Sequence, residues 1–131
     1  MTSTRSEVER LLARQRDAIE AKDLDGLMSL YSADVVYYDV VPPLQYVGEA
    51  ALRGRFSTWF GGYRGGLSTE IRELDIAAAG DMAVAHRLSK VAGTLQNGQE
   101  VGAWVRATSC FARTGGALLI IHEHVSLPVA P

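Results

Sequence analysis

The sequence predicts an α+β domain in which one antiparallel sheet curls over three N-terminal helices. Three observations carry this. Apolar residues recur at helical spacing as far as Phe60, four glycines (Gly61, Gly62, Gly65, Gly66) then break the chain, and everything beyond them alternates with the period of strands. The whole chain, 1–131, with 47% hydrophobic and 21% charged residues, suits one such domain with a core of its own.

The elements follow in order. Ser6 and Glu9 have the spacing of a capping box, and Val8, Leu11, Leu12, Gln15 and Ile19 then mark a helix from about Glu7 to Lys22, with Gln15 the one polar residue on its apolar stripe. Asp23 starts a shorter helix reaching Tyr31. In the strand that follows, Val35, Tyr37, Asp39 and Val41 share one face. Pro42 and Pro43 end it, and Gly48 admits a third helix, Glu49 to about Phe60, carrying Leu52, Phe56, Trp59 and Phe60. The GGYRGG segment reads as a flexible connector. Turns at Ala79-Gly80-Asp81, Asn97-Gly98 and Gly115-Gly116 then divide four long strands, about Leu67–Ala78, Met82–Leu95, Glu100–Arg113 and Ala117–Leu127.

Charge and composition exclude several classes of function. Thirteen basic and fifteen acidic residues, net charge -2, leave no basic stripe for nucleic acid and no polybasic arm for a membrane. The polar N-terminus lacks a signal-peptide core, and no apolar run approaches the ~20 residues of a membrane span, so a soluble cytoplasmic protein is expected. Cys110 is the only cysteine, which excludes an internal disulfide, and its strand setting suits packing.

Alternation also shows which polar side chains are forced inward. An acid among Val35, Tyr37 and Val41 costs energy unless it has a partner or a task. Beyond Ala117 the inward set is Leu119, Ile121, Glu123, Val125 and Leu127, with Ile120, His122, His124 and Ser126 outward. From Met82 the same test puts Met82, Val84, His86, Leu88, Lys90 and Ala92 inward. From Val101 it puts Val101, Ala103, Val105, Ala107, Ser109 and Phe111 inward, small residues that leave room. Asp39, His86, Lys90 and Glu123 thus converge on apolar faces, either as internal ion pairs or as a ligand pocket with ionisable groups. Burial disfavours a carboxylate's charged form and moves it toward the range useful for general-base work.

Other patterns carry less. His122 and His124 project from one face of a strand, but no third ligand is evident and HExxH is absent, so no metal is assigned. With Trp104 and Arg106 they form an outer sheet face suited to a second copy, a homodimer. No nucleophile elbow, phosphate loop or dinucleotide fingerprint occurs.

The helices ending in DLDGLMSLYSADVVYYD, the turn PPLQYVGEAALR and the closing GGALLIIHEHVSLP resemble the SnoaL-like, or nuclear-transport-factor-2-like, superfamily and its ketosteroid-isomerase-like branch. The last segment is similar to the family's G-x-W-x-x-x-H-x-H-x-S ending, with Leu118 in place of Trp. The resemblance implies a cone-shaped α+β roll of cystatin-like type, a deep pocket, frequent dimers through the outer sheet face, and Asp39 at the place of the catalytic base. Gln15 stands where the isomerase has its oxyanion tyrosine and Ala107 where it has a protonated aspartic acid, so steroid isomerisation is not expected. An oxyanion donor is worth about 3 kcal/mol. The expectation is therefore a cofactor-independent isomerase, cyclase or lyase acting on a small, mostly apolar molecule. Asp39 is its base, with Glu123 and His86 in the proton relay and Gln15, Tyr37, Phe56, Trp59, Lys90, Val105 and Ala107 around the ligand. The alternative is a non-catalytic ligand-binding or dimerisation module of the same fold.

Overall fold

The computed structural model describes residues 3–131. Helix α1 (Thr4–Ala21) begins three residues before the expected Glu7, because Ser3 is its cap: the Ser3 hydroxyl accepts from the Ser6 amide at 3.1 Å. It ends where Lys22 turns left-handed, φ 53°, and returns its N–H to the carbonyls of Ala18 and Ile19. Asp23 caps α2 (Leu24–Met28) through the Gly26 amide, and α3 spans Glu49–Gly61.

The strands are β1 (Tyr31–Tyr38), β2 (Tyr46–Val47), β3 (Tyr63–Ala79), β4 (Met82–Leu95), β5 (Glu100–Thr114) and β6 (Ala117–Ser126). They form one curved six-stranded sheet in the order β2-β1-β6-β5-β4-β3. The expected antiparallel meander is present, but β1 joins it by pairing parallel to β6, Tyr37 beside Glu123. GGYRGG is not a connector either. Gly61 and Gly62 close α3, Tyr63 already pairs with Leu95, and Gly65 and Gly66 lie in an irregularity of β3. At Gly66 a Cβ would lie 2.9 Å from the Glu20 carbonyl, so only glycine lets this strand cross α1.

The helices cover one face of the sheet, where Val8, Leu27, Leu30, Leu52, Phe111 and Ile120 are wholly or almost wholly buried. Removing the Phe111 ring would cost about 3–5 kcal/mol.

Two parity assignments are corrected. In β4 the buried set is Ala83, Ala85 and Arg87, not Met82, Val84 and His86, because α1 packs there and only alanines let a helix approach closely. His86 lies on the outer face beside Asp75 across the β3–β4 pair, 3.3 Å away and 61% exposed in its side chain. Lys90 shares that face, its stem lying where a side chain on Gly102 would stand. In β6 an irregularity opposite Cys110 and Phe111 takes up Ile121, so Leu118 and Ile120 point inward as well as Glu123. Ile120, expected outside, is fully buried, and His122 and His124 remain outside.

Candidate functional site

Between α1, α3 and the concave face of the sheet lies a cavity of about 180 Å³. α1 contributes Gln15 and Ile19, the end of β1 Tyr37 and Asp39, and α3 Arg55, Phe56 and Trp59. The sheet contributes Arg87, Ser89 and Val91 from β4, Val105 and Ala107 from β5, and Glu123 and Val125 from β6. Of the residues expected in the pocket, Asp39, Glu123, Gln15, Tyr37, Phe56, Trp59, Val105 and Ala107 border it. His86 and Lys90 do not. The residues that sequence reading missed are Arg55 and Arg87.

The aromatic wall is built around Phe56, whose ring lies 5.5 Å from Tyr37, edge to face, 5.7 Å from Tyr31 and 6.1 Å from Trp59. One turn of α3 separates Phe56 from Trp59 and Phe60, which places all three on the side facing the sheet.

Asp39 stands just past the end of β1, where the strand direction still turns its side chain inward, 8% exposed. Its Oδ2 accepts from Arg55 Nε at 2.8 Å and its Oδ1 from the Val40 amide at 2.6 Å. Each oxygen thus spends one lone pair and keeps another. Arg55, on the α3 face toward the strand end, supplies the counter-charge that a buried carboxylate needs.

Glu123, 3% exposed, is saturated. Oε1 accepts from the Tyr31 hydroxyl at 2.5 Å and Oε2 from Gln15 Nε2 at 3.0 Å and from the Ser109 hydroxyl in a short contact, while Arg87 Nη2 lies 3.6 Å away. Arg87, 6% exposed, donates through Nη1 to Ser109 Oγ at 2.8 Å and through Nη2 to Gln15 Oε1 at 3.2 Å. Gln15 therefore borders the cavity with both ends of its amide engaged by Glu123, Tyr31 and Arg87. Burial first, then the field of Glu123, holds the phenols of Tyr31 and Tyr37 well above their ordinary pKa, so both remain protonated donors at neutral pH.

On the outer face Arg72 lies over the Trp104 ring at 4.5 Å, and Arg106 is exposed beside it. His122 Nδ1 sits 2.7 Å from the Val36 carbonyl, and Tyr38 meets His122 and His124 edge to face. Burial pushes the Cys110 thiol up, away from nucleophilic use. Among the described residues no group of three or more His, Cys, Asp or Glu could hold a metal ion, and no helix is long and apolar enough to cross a membrane.

Comparison with known proteins agrees with this architecture. The profile of the SnoaL-like domain matches residues 8–130. A nuclear-transport-factor-2-like protein of unknown function from Pseudomonas putida is 31% identical, over 99% of this chain and 92% of that one, with a TM-score of 0.87. A candidate dehydratase of the same family from Streptomyces avermitilis is 17% identical over 95% and 97%, TM-score 0.83. The association domain of C. elegans CaMKII is 18% identical over 94% and 95%, TM-score 0.75. The last two share the fold alone. No curated protein gives a significant match.

Proposed function

This chain belongs to the SnoaL-like domain family, and from that premise we propose that it is a small-molecule enzyme of the isomerase, cyclase or lyase type, working without a cofactor, with Asp39 as general base. The fold alone does not select a reaction. The observation that carries the reading is Asp39 itself: an 8% exposed carboxylate on the wall of an apolar, aromatic-lined cavity, fixed by Arg55 and the Val40 amide with lone pairs left to take a proton. Arg55 fixes its direction. Tyr37, Phe56, Trp59, Val105 and Ala107 give the substrate its apolar surroundings. Glu123 works at one remove, as the anchor that sets Tyr31, Gln15 and Arg87.

The second reading is a binding or assembly module, and its support lies on the other side of the sheet. Trp104, capped by Arg72, stands with Arg106, His122, His124 and Tyr38 on one outer face, a composition suited to a two-fold contact between copies, and we include a homodimer through this face in the proposal. An association domain has the same fold.

A thermal-shift screen of small, largely apolar compounds, followed by mass spectrometry of the hits with wild type and Asp39→Asn, separates the two readings. Conversion by wild type, lost in Asp39→Asn while binding persists, is the expected result. Hits that stabilise both proteins and are never converted would leave the binding module.

A further inference from the structure

The polar groups on the cavity wall divide into those already engaged and those left open. Gln15, Tyr31, Arg87 and Glu123 are bound to one another and to Ser109. Asp39 receives only Nε from Arg55, whose two Nη nitrogens have no partner among the described residues. The Tyr37 hydroxyl has none either, although the residue is 6% exposed. Neither group is sealed in, because Arg87 Nε is the one side-chain polar atom among the described residues that is both shut off from solvent and unpaired. Arg55 and Tyr37 both line the cavity, so their free hydrogens are open to whatever fills it.

The open groups are donors with a full positive charge among them. Burial above all keeps the Tyr37 phenol protonated, and the Arg55 charge is among those that act on it, so the two stand close together. The Ser89 hydroxyl, also on the wall, can donate or accept. A carboxylate matches such a set, since its two oxygens and its charge fit a guanidinium fork, whereas an amide of the same shape brings one acceptor and no charge. Position agrees with this. The Arg55 side chain is 18% exposed beside Val40 at 43%, while Phe56 is 4% exposed, so a charged head stays near water and an apolar body goes inward. The cavity of about 180 Å³ accommodates at least one ring, because a ~150 Å³ apolar cavity takes up benzene.

We propose that the ligand of this pocket is a small apolar carboxylic acid, bound as its anion, with the carboxylate on the Nη nitrogens of Arg55 and the Tyr37 hydroxyl and the apolar body against Phe56 and Trp59. The inference rests on the small-molecule reading of the site and adds to it a charge on the ligand and a binding role for Arg55 and Tyr37. Arg55 then stands between two carboxylates, its Nε on Asp39 and its Nη atoms on the ligand. The like charge of Asp39 limits the affinity.

The test titrates phenylacetate and phenylacetamide, which has the same shape without the charge, into ¹⁵N-arginine-labelled protein near neutral pH. Phenylacetate is expected to bind about tenfold tighter, the effect of a hydrogen bond to a charged group, and to move the Arg55 side-chain signals saturably. Those wild-type signals do not depend on a variant folding. Arg55→Gln should abolish the preference, Tyr37→Phe should weaken phenylacetate about fivefold, and Asp39→Asn, which removes the competing anion, should bind it more tightly than wild type. Phenylacetamide bound as tightly as phenylacetate, Arg55 signals unmoved at saturation, a preference that survives in Arg55→Gln, or binding of neither compound would overturn the inference. Wild-type affinity in Tyr37→Phe would overturn the part given to Tyr37. Phenylacetate held at Arg55 while no compound is ever converted would remove the catalytic reading and leave this one standing. Turnover of neutral apolar compounds through Asp39, with phenylacetate unbound, would do the reverse.

Discussion

Tyr31 donates its phenolic hydrogen to Glu123 Oε1 at 2.5 Å, with both residues less than 5% exposed. This bond ties the start of β1 to the middle of β6 and completes the set of donors on an almost wholly buried carboxylate. Tyr31→Phe is therefore expected to lower stability by about 1.5–3 kcal/mol, the range for a hydrogen bond to a charged group. Glu123→Leu should cost more, about 3–5 kcal/mol, because it strands Arg87 as an unpaired buried charge. Urea unfolding of both variants measures this. Equal, small losses would mean that the cluster is not a cooperative anchor.

The alkaline limb of stability follows from the two pocket phenols. Folding raises the pKa of Tyr31 and Tyr37, chiefly by burial and then through Glu123. Their contribution is complete below the unfolded value of about 10 and is lost as pH rises above it toward the folded values, because only the unfolded chain can ionise them. Of five tyrosines, these two should ionise only together with unfolding in an ultraviolet pH titration. Five phenols ionising before the fold is lost would contradict the buried arrangement.

At the acid end the relevant pair is Glu7 and Arg113, two hydrogen bonds of 2.8 and 3.0 Å that pin α1 to β5. The hydrogen bond from Arg113 is the main cause that lowers the pKa of Glu7. Its contribution is present above the unfolded carboxylate value of about 4.3 and disappears as pH falls through the lower folded value. Stability curves of wild type and Glu7→Gln should run parallel near neutrality and converge in acid. A constant gap down to the lowest pH would show that the charge has no part in it.

Much of this architecture was legible because its signals are local. The helix–glycine–strand succession, the turns and the inward placement of Asp39 and Glu123 follow from periodicities of a few residues. The misreadings have physical causes. In β4 the larger apolar residues Met82, Val84 and Leu88 outvoted Ala83 and Ala85, although a helix packed on a sheet favours the small ones, and that choice put His86 and Lys90 inside and Arg87 outside. The parity of Arg87 with Ala83, Ala85 and Ser89 was the available signal. Its burial becomes tolerable only beside Gln15, Ser109 and Glu123, residues far apart in sequence. The β6 irregularity was hidden because Leu118 to Ile121 are all apolar and mark no phase. The link between Arg55 and Asp39 joins a helix to a strand end across the proline turn, which no periodicity records.

The outer face supplies an independent prediction. If Trp104, Arg106, His122 and His124 meet a second copy, wild type should sediment as a dimer near neutral pH, and Trp104→Glu, with a charge at the centre of that face, as a monomer with unchanged circular dichroism. A wild-type monomer at high concentration would remove the homodimer and leave the pocket chemistry untouched.

The central claim, that Asp39 takes a proton from a bound molecule, is tested most directly without knowing the natural substrate. A carbonyl compound that binds the pocket is incubated with the protein in D₂O, and the loss of its α-proton signal is followed by NMR. Wild type is expected to exchange that proton at least about 100-fold faster than Asp39→Asn, the lower range for a positioned general base, with the two proteins binding the compound alike. Equal exchange rates at equal occupancy would contradict the account.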